Sequence, residues 1–485
     1  MELPALSGKV VAFSLTAFPV CYTLNHLSEL SYPLSVAILC AMILILLFVA
    51  IGSLAQGEIS HDPLFAVFAI LSFSSLIDLF IALQEDDYGM DFMEFYTRGR
   101  EPYLRTAHGI LSCYWDGTIH YLLYLTMTGA IANRKRYRSA GLYWLGSMVM
   151  SIMVFVPGNI LGKYSSELRL SFFLNIPYML IPCWAGLHLF HQDKGPTSYT
   201  TKMIAEEHKK GLLQRPWDLA LFIYLLLAGL FTIFRGLVSL LSGCPSGLQL
   251  PKDPSSPVVL CLQPGLATTI PVKALLWPML QLSFLGEMVF YGQLPWSQSS
   301  PVGRSFLRLD QSLGCGGCMA VNALALSFGA FVSWPYLAPT LLCLQVVLDC
   351  PTDSCFTYVY QYEPYLRDPV AYPKIQMLVF LFYALPFFIL AAYGLLWPGC
   401  TWLPDWALVF AGAMGQAQFS HIGASMHLHT PYPYRTPEDV WSFLMILNLL
   451  YALGIHLLAY RCLRWPAFFL CPSALSQEEK NKKDC

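Results

Sequence analysis

Glu101-Pro102-Tyr103-Leu104-Arg105 recurs further along the chain as Glu363-Pro364-Tyr365-Leu366-Arg367. Five identical residues with an internal proline are a rare coincidence, even in a biased chain. Each copy sits just before an apolar run, after the first span of a group of four. A fainter echo accompanies them: Asn175-Ile176-Pro177-Tyr178 and Asn448-Leu449-Leu450-Tyr451 close the two groups. The pattern predicts two copies of one four-helix unit. Four is even, so both copies have the same orientation in a membrane, the parallel kind of repeat rather than the inverted kind of many transporters.

Composition agrees with a membrane setting. Of 485 residues, 12% are charged and 56% are hydrophobic, and the mean hydropathy is +0.53; soluble domains carry about 25% charged residues. A disordered chain, a fibrous chain and an ordinary soluble enzyme are excluded. The net charge of −2 offers no basic footprint, so no nucleic-acid partner is expected. Met1 to Lys9 lacks the charged region and cleavage site of a signal peptide.

A membrane helix needs about 20 mostly apolar residues. Ten stretches qualify, at about 10–27, 34–54, 63–83, 108–132, 142–161, 170–190, 218–238, 375–396, 403–424 and 440–460. The fold expected is therefore an all-α polytopic membrane protein, with two N-terminal helices (1–60) followed by tandem parallel repeats. The first repeat covers 61–190, a loop covers 191–217, and the second repeat covers 218–237 with 346–460. Basic loops set the orientation. Arg134-Lys135-Arg136-Tyr137-Arg138 follows the fourth span, and Lys194, Lys202, Lys209, Lys210 and Arg215 follow the sixth. Both loops fall on one side, assigned to the cytosol, and ten spans then place both termini there. The loop after the third span is acidic and lumenal. In the cytosolic tail 461–485, Lys482 and Lys483 stand third and fourth from the end, the pattern of a dilysine retrieval signal read by coat proteins.

The two repeats differ in one loop. Residues 238–345 are rich in Pro, Ser, Gly, Leu and Cys, and their apolar runs are broken, as at Trp277-Pro278 and Trp334-Pro335. Val238-Ser239 can be encoded by GTGAGT, the shape of a splice donor, and Leu341 to Gln345 by a pyrimidine-rich run ending in CAG, the shape of an acceptor. In-frame removal joins Phe234-Arg235-Gly236-Leu237 to Val346-Val347-Leu348-Asp349. The stretch reads as a retained intron or gene-model error; a lumenal domain with one or two extra hydrophobic helices, at 319–344, is the alternative. Fifteen cysteines show no metal-ligand spacing apart from Cys315-Gly316-Gly317-Cys318, inside that same stretch, and no metal or cofactor is expected. Cys350 and Cys355 flank a short turn and would pair in an oxidising lumen, or stay as two free thiols.

Polar groups at membrane depth are costly and are functional candidates by default. Asp78 lies late in the third span. Asp116 and His120, four apart in the fourth, share a helical face. Trp115, beside them, offers a π-face to a cation or simply packs. Asn175 and Tyr178 in the sixth span, Gln416 and Gln418 in the ninth, and Asn448 and Tyr451 in the tenth complete the set. Asp116 either lines a pocket, acts in catalysis, or bonds a neighbouring helix.

Without 238–345, nearly the whole chain resembles the transmembrane 6 superfamily. The motifs that carry the resemblance are Met93-Glu94-Phe95-Tyr96, Glu101 to Arg105, Tyr114-Trp115-Asp116-Gly117, Gly158 to Ser165 and Gly415 to His421. Each four-helix unit resembles, more remotely, the EXPERA domain shared with the emopamil-binding sterol isomerase and the sigma-2 receptor. The resemblance implies a membrane protein of the endoplasmic reticulum and ER–Golgi intermediate compartment. It implies membrane lipids, sterol or triglyceride as ligands, triglyceride and cholesterol handling as the role, and the apolipoprotein-B lipidation machinery as partner. It also sets a catalytic pattern to compare: an acid, a cation stabiliser and a base. Asp78 and Asp116 fall on the isomerase's two acids, and Asn175-x-x-Tyr178-x-x-x-Pro182 on its Asn-x-x-Trp-x-x-x-Pro helix. The isomerase's histidine is Ser74 here, and the corresponding helix of the second copy, Gln376 to Tyr383, holds no acid. That erosion favours a retained apolar cavity over retained catalysis; a sterol Δ8-Δ7 isomerase using Asp78 and Asp116 is the alternative.

Overall fold

The computed structural model describes residues 5–30, 49, 62–88, 97, 101–164, 172, 176–192, 194–195, 199–241 and 353–471. Every regular element among them is helical. Five helices are long and apolar enough to cross a membrane: Leu64–Glu85, Arg138–Leu161, Pro216–Ser239, Tyr372–Leu396 and Glu438–Arg464. Nearly all of the span expected at 34–54, Asn175, Cys350, the Lys482-Lys483 tail and nearly all of 238–345 lie outside the described residues. The helix that opens the second group runs on to Leu241, past the expected junction.

The first expected span is two helices, Ala5–Leu15 and Ala17–Leu30. Pro19 is the physical reason. It has no N–H for the Leu15 carbonyl, and its ring crowds that oxygen. The Thr16 hydroxyl takes up the Phe13 carbonyl at the break, at 2.6 Å.

Contacts divide the chain into two units. The first comprises Met1–Gln192, Asp368–Tyr372 and Val409–Thr436; the second comprises Asp193–Arg367, Pro373–Leu408 and Pro437–Cys485. The core of the first is built on aromatic rings. Phe68 meets Trp144 edge-on at 5.3 Å, and the Trp144 indole donates to the Tyr124 hydroxyl at 2.8 Å. Burying an indole requires such a partner for its N–H. Two helices of this unit also touch through glycine. A Cβ on Gly146 would lie 1.7 Å from the Val409 carbonyl oxygen, and one on Gly412 would lie 1.9 Å from that of Tyr143. Backbones approach this closely only where side chains are missing, the usual device for packing membrane helices.

In the second unit, Phe380 and Phe388 pack against the Tyr451 ring, at 5.6 and 5.7 Å. The outer faces are apolar and uncovered. Leu226, Leu227, Leu230 and Leu237 on one helix and Leu449, Leu450, Leu453 and Leu457 on another are all exposed. A contiguous apolar patch of that extent is a liability in water and is the expected surface in lipid.

Both copies of the Glu-Pro-Tyr-Leu-Arg motif fold alike. Pro102–Arg105 and Pro364–Arg367 each form one 3₁₀ turn. Each is followed by a helix interrupted by a π-turn, at Asp116–His120 and at Phe380–Ala384. Thr106 caps the first of these helices, its hydroxyl accepting the Gly109 N–H at 3.1 Å.

Candidate functional site

The candidate site of the first unit is built around the π-turn. A π-turn bulges the backbone and re-aims side chains, and such turns concentrate at functional sites. Here it carries Asp116 and His120. The His120 ring is fully buried, and its Nδ1 lies 2.5 Å from the Asp116 carboxylate, whose side chain stays 26% exposed. The Trp115 N–H and the Ser147 hydroxyl both meet the other ring nitrogen, Nε2. Nε2 lies 2.7 Å from the Ser147 hydroxyl, and Trp115 donates its indole N–H to Ser147 at 2.8 Å and to His120 at 3.3 Å.

The order Asp116, His120, Ser147 has the connectivity of a hydrolytic triad. Ser147 is nevertheless fully buried, and Trp115 donates to its oxygen, so the hydroxyl faces no substrate. The chain of bonds ties the π-turn to the helix Arg138–Leu161. Trp115 is itself buried and packs on Phe419 at 5.2 Å; its ring serves packing.

Further acids converge on Asp116. Asp78 interacts electrostatically with Asp116 and with Glu101. The Tyr178 hydroxyl bonds Ser74 and lies within reach of Asp78, Asp116 and Glu101. Three carboxyls, two of them predicted, thus act electrostatically on one tyrosine. Glu101 escaped the prediction because the repeat marked it as a structural motif. In the same unit His108 stacks on Tyr372 at 4.5 Å, and Tyr372 donates to Asn159. Gln416 donates to Ser420 at 3.1 Å, while the amide of Gln418 is buried with neither polar atom bonded among the described residues.

The second unit uses the equivalent positions differently. Asn448 and Tyr451 are both buried. Arg235, 2% exposed, forms an ion pair with the fully buried Glu363 and donates to Asn448 at 2.9 Å. Tyr358 also donates to Glu363. The Tyr451 hydroxyl bonds Thr232, and its carbonyl accepts from Tyr224 at 2.6 Å. With residues 238–345 left out of the count, Arg235 stands close to where the first copy has Asp78 relative to the repeated motif. An arginine inside an apolar span was the signal that could have found it. One unit gathers acids; the other neutralises its glutamate with a guanidinium.

Outside the spans, Cys355 is disulfide-bonded. His427 lies 3.0 Å from Asp86, and burial holds its pKa below the usual histidine value in spite of that carboxylate. Groups of three or more metal-ligating side chains are absent among the described residues.

Among the described residues every regular element is helical, five helices are of membrane length and leucines face outward, which makes the chain a multi-pass membrane protein. The family model for the transmembrane 6 superfamily member 2-like transmembrane domain matches residues 16–200. Transmembrane 6 superfamily member 2 of Homo sapiens is 53% identical over 472 residues, covering 97% of this chain and 97% of that protein. The proteins of that name from Mus musculus and Rattus norvegicus are 52% and 50% identical over 486 and 485 residues, each with full coverage of both chains. The chain belongs to the transmembrane 6 superfamily member 2 family. No solved structure matches it.

Proposed function

We propose that this chain is a non-enzymatic lipid-handling protein of the endoplasmic reticulum and ER–Golgi intermediate compartment membranes. It has ten spans with cytosolic termini and two tandem EXPERA-like repeats. The matched 3₁₀ and π-turns after the two motifs support the repeat. The first repeat receives a sterol or neutral lipid, and the protein supports the loading and secretion of triglyceride-rich lipoprotein. The observation that carries this reading is the contrast between the repeats. In the second, Arg235, Thr232, Tyr224 and Tyr358 occupy the polar positions with structural bonds. In the first, Asp116 stays partly open and has Asp78, Glu101 and Tyr178 around it, an apolar setting with a few convergent polar anchors.

Catalysis is the second reading, because Asp78 and Asp116 do lie within electrostatic reach of each other. Two measurements on the purified protein separate the readings. Lipid extraction and mass spectrometry should recover sterol or triglyceride from the wild type and less from Asp116→Asn. Incubation with a Δ8-sterol should give no Δ7 product; turnover abolished by Asp116→Asn would establish the enzyme instead. In lipoprotein-secreting cells, loss of the protein should lower the triglyceride carried by secreted particles.

A further inference from the structure

The second unit contains a cavity of about 390 Å³ that the lipid-handling proposal does not use. It lies where the membrane-length helix Pro216–Ser239 begins and Glu438–Arg464 ends, so it opens at the boundary between membrane and water. The volume falls in the range of small-molecule sites.

Its floor is a buried ionic knot. Asp218, fully buried, is held by Arg215 at 2.5 Å and by Arg461 at 2.6 and 2.9 Å. Two guanidinium groups share this one buried carboxylate, and Glu206 and Glu207 are the other charged groups of the lining. Arg215, only 7% exposed, also donates to the Leu395 carbonyl at 2.9 Å, yet its Nε is buried with no partner among the described residues. An unmade bond on a buried cation is costly, and an anion drawn against Arg215 would offset that cost.

The walls are aromatic: Tyr199, Trp217, Trp465 and Phe468. Trp217 and Trp465 are 67% and 49% exposed, open faces rather than core. Glu206 and Glu207 complete the lining from the short helix Thr201–Lys209, Glu206 exposed and Glu207 already ion-paired with Lys210. Aromatic faces next to carboxylates are the surroundings that take a quaternary ammonium. The cavity thus presents an anion site at its floor and a cation site at its mouth.

We infer that this cavity binds the zwitterionic headgroup of a choline phospholipid, with its phosphate on Arg215 and its ammonium among Trp217, Trp465, Glu206 and Glu207. The acyl chains would follow the exposed Ile223, Leu226, Leu457 and Tyr460 toward the bilayer, a path that a soluble phosphocholine would not need. The site is independent of the acids in the first unit.

The test uses the full chain, purified in a non-ionic detergent and incubated with equimolar phosphatidylcholine and phosphatidylglycerol, with retained lipid counted by native mass spectrometry. The wild type should retain phosphatidylcholine over phosphatidylglycerol. Trp217→Ala with Trp465→Ala should lower that retention about tenfold, at an unchanged unfolding midpoint because both side chains are exposed. Glu206→Gln with Glu207→Gln should move the preference toward phosphatidylglycerol. Equal retention of both lipids by the wild type, or full retention by the folded tryptophan double variant, overturns the inference. Competition by free phosphocholine at the lipid's own affinity would overturn the lipid assignment.

Discussion

Replacing Arg235 by methionine should be among the most damaging single changes in the second unit. The guanidinium is 2% exposed; its partner Glu363 is fully buried, and Asn448, which also accepts from it, is 1% exposed. Arg235→Met keeps most of the side-chain volume but leaves a carboxylate buried without its counter-charge and an amide oxygen without its donor. Removing one partner of a buried pair costs about 3–5 kcal/mol, about two to four decades in the folded-to-unfolded ratio. Glu363→Gln should cost less, because the remaining cation keeps Asn448. The double variant should recover most of the loss, since swapping a whole buried pair for neutral groups is often nearly neutral. Titration of the purified protein with sodium dodecyl sulfate, followed by circular dichroism, measures all four corners of this cycle. A double variant as unstable as the two singles added together would refute the reasoning, because the ion pair would then contribute no coupling.

The glycine contact gives a second test. Gly146→Ala and Gly412→Ala should each destabilise by about 1–3 kcal/mol through overpacking in the same titration, whereas Gly8→Ala, with nothing within 4 Å of its added carbon, should not. His427 supplies a pH dependence. Burial lowers its pKa in the folded protein, so the unfolded chain binds the proton more readily, and stability should fall as pH drops below the ordinary histidine value of about 6.5. His427→Gln should flatten that slope, and an unchanged slope would assign it elsewhere. Lys482→Ser with Lys483→Ser should release the protein to later secretory compartments, seen by microscopy; continued retention would show the signal to be idle.

Much of the local structure was legible. Hydropathy located the five membrane-length helices seen among the described residues, out of ten spans expected, and the four-residue spacing of Asp116 and His120 foretold their contact. The partners that come from elsewhere were not legible. Ser147 meets His120 from 27 positions away, and Glu363 meets Arg235 from 128. Hydrophobic periodicity says which face of a helix is buried but not which residue of another helix it will find. The Gly146 and Gly412 contact is hidden for the same reason, because glycine is common in membrane helices and only the crossing point gives these two their role. Trp115 was readable as a face for a cation or as packing, and the fold packs it on Phe419, but its N–H bond to Ser147 was not legible.

The ion pair between Arg235 and Glu363 clasps the chain across the stretch 238–345. Bringing such distant ends together carries an entropy cost that grows with the logarithm of the intervening length. Without that stretch the separation would shrink from 128 to roughly 20 positions, and closing the ring would become easier by about 1.6 kcal/mol. A shortened transcript would therefore encode a chain in which the same clasp shuts more readily, and the long form must supply that difference from contacts of its own.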